Sequence, residues 1–166
     1  MAGSRVARRG RGVAARGAFL KRIPQLRDLS DDHHTSLVLA RRCKQGPKGA
    51  SVDVLWDRVT EAFEGHLEPH FAIEEQHLLP ALETIGEAAL AERIRKEHGE
   101  LRALRDAPQT DAAALAQLGR LLEAHVRFEE REVFEATQHR LPPAALRAIE
   151  AACKTVPRVC PVSLLE

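Results

Sequence analysis

Glu68-Pro-His70-Phe-Ala-Ile-Glu74-Glu75 and, 55 residues further on, Glu123-Ala-His125-Val-Arg-Phe-Glu129-Glu130 are two copies of one pattern, E-x-H-x-x-x-E-E. Residues four apart in a helix lie on one face, about one turn from each other. Each copy therefore presents an imidazole (His70, His125) and a carboxylate (Glu74, Glu129) in the same direction. Apolar residues extend both copies at helical spacing. Val52, Leu55, Val59, Phe63, Leu67 and Phe71 surround the first, and Leu115, Leu118, Leu122, Val126, Val133 and Phe134 the second.

Working outward, Asp28, Ser30 and Asp31 are N-cap candidates for a first helix running to about residue 44, closed by Gly46, Pro47 and Gly49. The second helix starts near Ser51. Pro69 lies within it and is expected to kink it, because the missing N–H frees the carbonyl of Gly65 while the apolar stripe continues. Pro80 bends or ends it, and Gly86 closes it. A third helix is expected over about 87–106, with Leu90, Ile94, Leu101 and Leu104 inward, and a fourth over about 111–139. Pro142 and Pro143 open a short fifth helix reaching about residue 154. No stretch alternates with period 2, so the fold class is all-α: an up-down-up-down four-helix bundle with a short C-terminal fifth helix. Residues 28–154 form this bundle. An Arg-rich extension over 1–27 precedes it and is expected to be disordered, and an irregular tail over 155–166 follows.

Composition narrows the function classes. The chain has 166 residues, 44% hydrophobic and 30% charged, enough for one soluble domain, and no apolar run long enough for a membrane span. Three cysteines at 43, 153 and 160 make neither a disulfide framework nor a tetrahedral zinc pattern, which points to a reducing, cytoplasmic compartment. Tyrosine is absent, which excludes Tyr ligands and tyrosyl radicals. The first 27 residues hold eight basic groups and no acid, leaving the remainder acidic; nucleic acid is therefore not expected as the main partner. The unusual count is eight histidines.

Two of these complete a constellation. The first and third helices carry His34-x-x-Leu37 and His98-x-x-Leu101. Four imidazoles and two carboxylates in one helical core suit a transition-metal pair, with the carboxylates bridging and an oxo or hydroxo group completing the site. Burying those groups without a metal would be costly. His33 adjoins His34 and competes with it; the H-x-x-L register shared with His98 favours His34. His66 and His77 lie on nearly the face of His70. At ~1.5 Å rise per residue, however, they stand ~16 Å apart, too far for one centre. Their counterparts in the second copy, Leu121 and Glu132, do not repeat them, so both are read as polar neighbours. Glu75, Glu130 and Glu97 are placed outside the ligand set, and Arg102 is read as a solvated side chain one turn from His98. His139 is read as a favourable charge at a helix C-terminus. Ferritin-like Glu-x-x-His pairs fit only once, at Glu74-x-x-His77.

The stretches LSDDHHTSLVLA, HLEPHFAIEEQHLLPAL and AHVRFEEREVF, from about Leu29 to about His139, resemble the hemerythrin-like, HHE cation-binding family. That resemblance implies a four-helix bundle holding a non-heme di-iron centre. Its ligands would be His34, His70, Glu74, His98, His125 and Glu129, and its cofactors two iron ions. Oxygen-carrying members have a second histidine one turn from that on the third helix; here those positions are Ile94 and Arg102. They also have aspartate where this chain has Glu129. The pattern is closer to four-His, two-Glu members linked to nitric oxide and iron–sulfur cluster repair. The expected function is binding or reduction of a small diatomic or peroxide ligand, served by a redox partner the sequence does not name. The alternative is an interaction module in which metal only staples the bundle.

Overall fold

The computed structural model describes residues 22–49, 51–107 and 110–157, all of them helical or in short connections. Helix α1 spans Pro24–Gln45. The rod α2, over 52–84, joins α-helical Val52–Ala62, Glu68–Ile73 and Leu79–Thr84 through π-helical turns at Phe63–Leu67 and Glu74–Leu78. Helix α3 is Ala88–Arg105, and the rod α4, over 112–140, joins Ala112–Phe128 to Phe134–Arg140 through a π turn at Glu129–Val133. Helix α5 is Pro143–Thr155. The expected four rods and short fifth helix are all present. Helix α1 lies along α4, α3 packs on both α2 and α4, and α5 closes one end against α1 and α2.

The termini of these elements follow from local chemistry. Ser51 and Asp111 accept the N–H groups of Val54 and Ala114 at 3.3 and 2.8 Å, satisfying donors the first helical turn leaves open. Rod α2 ends where Gly86 takes φ +83°; the Glu87 N–H reaches the Leu82 carbonyl and the Gly86 N–H that of Glu83, a Schellman closure. Helix α1 departs from expectation. It begins at Pro24, a residue pre-set for the first helical position, not at a cap among Asp28, Ser30 and Asp31. Ser30 is inside the helix and donates to Glu130 Oε1 at 2.8 Å. Residues 22–27 thus belong to the folded part of the chain, while residues 1–21 of the expected extension, and 158–166 of the expected tail, lie outside the described residues.

The prolines do not end α2. A π turn closes immediately before each of them: the Glu68 N–H bonds the Phe63 carbonyl and the Leu79 N–H that of Glu74, each five residues back. The wider turn accommodates a ring that would otherwise clash with the carbonyl four residues earlier. Rod α4 makes the same turn without a proline, the Phe134 N–H bonding the Glu129 carbonyl. In both rods a π turn therefore starts at the carboxylate of the repeated pattern.

The apolar core is split in two. One cluster gathers residues such as Leu26, Leu29, Leu82, Ile94, Phe134 and Ile149 near α5. The other gathers Leu39, Cys43, Leu55, Phe63, Leu101 and Leu118 toward the far end. Between them every rod carries a buried polar residue, among them His33, His70, Glu74, His98, His125 and Glu129.

Helix α1 meets α4 closely at Gly119, where a Cβ would stand 2.5 Å from the Ala40 carbonyl oxygen and 2.8 Å from Cys43 Cβ. A backbone carbonyl cannot rotate away. Gly119→Ala is expected to destabilise the fold by about 1–3 kcal/mol, the usual cost of overpacking. Gly99→Ala, on α3 with nothing within 4 Å, should stabilise it by up to about 1 kcal/mol from helix propensity. Thermal unfolding followed by circular dichroism distinguishes the two.

Candidate metal centre

Each half of the bundle brings one imidazole pair to the buried layer. Helices α1 and α2 supply His33 and His70; α3 and α4 supply His98 and His125. Glu74 and Glu129 lie between the pairs and belong to both groups, one made of His33, His70, Glu74 and Glu129, the other of Glu74, His98, His125 and Glu129. Within each group the potential ligand atoms lie within 4.8 Å of one another. Glu74 directs Oε1 to His70 Nε2 at 3.2 Å and Oε2 to His98 Nε2 at 3.3 Å. Glu129 Oε2 stands 3.0 Å from His33 Nε2 and 3.3 Å from His125 Nε2.

These separations are short, yet none of the eight atoms has an aligned hydrogen-bond partner: the four Nε2 atoms and all four carboxylate oxygens are buried and unsatisfied. Glu74, His98 and Glu129 have 0% relative exposure. Buried polar atoms are ordinarily paired, and a cluster of unpaired ones asks for a missing partner. Imidazole nitrogens and carboxylate oxygens aimed at common points form a donor set that suits borderline divalent transition metals. The residues therefore fit metal binding, with Glu74 and Glu129 common to the two donor groups. Burial pulls the His70 imidazole down and the Glu74 carboxyl up, but their mutual attraction prevails. His70 is held well above the ordinary histidine value by Glu74 and Asp32, and Glu74 well below the carboxylate range by His70 and His98.

The other face of every ring is also held. His33 Nδ1 donates to Glu130 Oε1 at 2.7 Å, His98 Nδ1 to Glu75 Oε1 at 2.8 Å, and His125 Nδ1 to Glu97 Oε2 at 2.8 Å. His70 Nδ1 faces Asp32 Oδ2 at 3.4 Å. A carboxylate on Nδ1 fixes ring orientation and leaves Nε2 as the ligand atom. Phe71 stacks on His98 with centroids 3.8 Å apart, and Phe134 on His33 at 5.0 Å.

The expectations are corrected at one ligand. His34 is exposed and stands in neither group, whereas His33 is buried and faces Glu129. The reason is the true phase of α1. Its buried residues run Leu26, Leu29, His33, Ser36, Leu39, Ala40, Cys43, and His34 falls one position, ~100° of rotation, off that stripe. Starting the helix at Pro24 brings Leu26 and Leu29 into the pattern, and these choose His33. A second signal was the acid that precedes the ligand, Asp32 before His33 and Glu97 before His98. His70, Glu74, His98, His125 and Glu129 are all brought together. His66 is buried but outside both groups, its Nε2 near the Asp32 carbonyl oxygen and Ser36 Oγ at 3.1 and 3.3 Å; His77 is half-buried and likewise outside. His139 is exposed, near Glu135 at 3.4 Å. Arg102 is not simply solvated, for it forks onto Glu68 and Glu75. Cys43 and Cys153 are buried free thiols, with burial pushing Cys43 up to about 12; Cys160 lies outside the described residues.

A family model, the hemerythrin HHE cation binding domain, matches residues 18–137, most of the chain. No curated protein and no solved structure matches it.

His33→Ala is expected to abolish binding of one of two metal equivalents, and His34→Ala to leave both. His70→Ala and His125→Ala should each lose metal, and His77→Ala should not. Metal content of the purified variants by mass spectrometry, beside their thermal midpoints, reads this directly. Loss on His34→Ala with retention on His33→Ala would reverse the assignment.

Proposed function

The chain belongs to the hemerythrin HHE cation-binding family, and from that premise we propose that it is a non-heme di-iron protein that binds or reduces a small ligand (O2, NO or peroxide) in sensing, scavenging or iron handling under oxidative or nitrosative stress. The observation that supports this reading most is the sharing of Glu74 and Glu129 between two imidazole pairs, since two carboxylates common to both donor groups suit two ions held side by side. When bound, an iron pair supplies reversible one-electron chemistry and coordination positions that a small ligand can occupy.

The chain's own residues hold and shelter that pair. His33, His70, His98 and His125 present Nε2, and Glu130, Asp32, Glu75 and Glu97 keep those rings from turning. Phe71 and Phe134 cover two rings, and the apolar clusters above and below keep the layer out of water. A site this enclosed selects for ligands of a few atoms. Among the described residues no helix is long and apolar enough to cross a membrane. Electrons for reduction come from a redox partner.

A second reading is favoured by the split core: the metal only staples the bundle, offsetting a polar layer between two apolar clusters. A ligand bound only to the folded state at 100 times its Kd contributes about 2.7 kcal/mol, enough for that role.

Loading the full chain anaerobically with ferrous iron and oxidising it separates the two. Uptake of a pair of ions, with an optical spectrum that changes on adding azide and disappears on reduction, is expected for a ligand-binding centre. A pair of ions with no azide response would leave the staple, and failure to retain a pair would overturn both.

A further inference from the structure

The site is built on an approximate two-fold relation that exchanges α1 with α3 and α2 with α4. His33 and His98 correspond, as do His70 and His125, and Glu74 and Glu129. Their carboxylate partners obey the same exchange: Glu130 on α4 holds His33 and Glu75 on α2 holds His98, while Asp32 and Glu97 each precede one ligand and face another. The relation fails one step further out, at the arginines. Glu130 is gripped by Arg22, which precedes α1: Nε and Nη2 reach its Oε2 at 3.0 and 2.7 Å, Nη2 also meets its backbone carbonyl, and Nη1 reaches Glu135 Oε1 at 2.7 Å. Glu75 is gripped by Arg102, within α3 and four residues past the ligand His98, with Nη1 at 2.7 Å from Oε1. The same guanidinium bonds Glu68 through Nε at 3.1 Å and Nη2 at 2.9 Å. Arg22 is 8% exposed at its side chain and Arg102 30%.

The geometry points to Arg22 and Arg102 as positioning residues, each for one metal position: Arg22 for the position made by His33 and His70, Arg102 for that made by His98 and His125. A planar guanidinium anchored to a second carboxylate holds Glu130 or Glu75 in one rotamer, and that carboxylate holds the imidazole whose Nε2 is the donor. Because the anchors differ, the two positions differ. One depends on the segment leading into α1 being seated against α4, through Glu130 and Glu135; the other on a contact between α2 and α3 that is more open to solvent. The inference rests on the metal-binding reading.

Titrating cobalt(II) into the metal-free full chain, followed by its visible absorption and by calorimetry, tests it. Wild type is expected to take two equivalents. Arg22→Gln should weaken one of them ~10–100-fold, the usual effect of removing an outer partner of a ligand, and Arg102→Gln the other. Single-position backgrounds identify which. With His98→Ala, Arg22→Gln should weaken the remaining equivalent; with His33→Ala it should leave it unchanged, and Arg102→Gln should show the reverse. Should Arg22→Gln fail to fold by circular dichroism, Glu135→Gln loosens the same anchor without touching Glu130 and is expected to act in the same direction. Both arginine variants weakening both equivalents alike, or neither weakening any, overturns the inference while leaving the metal centre standing. No cobalt bound by wild type overturns the metal reading and the inference with it.

Discussion

Two carboxylates with no exposed surface, Glu74 and Glu129, are the constraint to which the rest of this bundle answers. An ionised carboxylate in an apolar interior is too costly to persist without compensating charge and hydrogen bonds. Here the surrounding groups are four imidazoles, one from each of α1, α2, α3 and α4, each turned with Nε2 inward and Nδ1 held from outside. That arrangement satisfies the outer nitrogens and leaves the inner ones, with all four carboxylate oxygens, unsatisfied. A fold tolerates such a cluster when something supplies the missing bonds, and these imidazole and carboxylate atoms are a donor set that could hold metal.

The remainder of the architecture keeps that layer in place. Apolar clusters on either side fix the spacing of the rods, and the glycine contact between α1 and α4 brings Ala40 and Gly119 together where a larger residue would part them. The π turns starting at Glu74 and Glu129 add a residue to the local repeat just where each rod passes from the metal layer into the cluster near α5. Leu78 and Leu79 in α2, and Val133 and Phe134 in α4, are thereby buried as adjacent pairs. Distortions of this kind are frequent at functional sites, where the ligand register and the packing register of one helix do not agree.

Much of this was legible in the residues. The repeated E-x-H-x-x-x-E-E placed His70, Glu74, His125 and Glu129 on inward faces because helical geometry leaves little choice once an apolar stripe surrounds them. His98 followed from its own stripe. His33 was not legible from H-x-x-L, which compares two short local patterns, whereas the phase of α1 is decided by Leu29 and Leu26, one and two turns before that histidine. The π turns were hidden for a different reason. A proline in a helical stripe announces a disturbance but not its form, and at Glu129 there is no proline to announce it. The partners of the Nδ1 atoms depend on the angles between rods, which no spacing within one rod contains; only the doubled glutamates at 74–75 and 129–130 hinted that each copy carried a carboxylate for a neighbour as well as one for the centre.

The two-fold relation explains why those doublets recur. If Glu74 and Glu129 bridge, each rod of the α2–α4 pair must also support an imidazole across the bundle, and the residue after the bridge, rotated by ~100°, is the one that faces the adjoining rod. Glu75 meets His98 and Glu130 meets His33 for that geometric reason. The same exchange then requires α1 and α3 to return the favour to α2 and α4, and they do so with the residue before their own ligands, Asp32 and Glu97. Aspartate, one methylene shorter, stands at 3.4 Å from His70 where glutamate stands at 2.8 Å from His125. Even within the symmetric layers, then, the His33–His70 half is held more loosely at one ring, and the Arg22 grip on Glu130, the carboxylate that holds its other ring, offsets that slack.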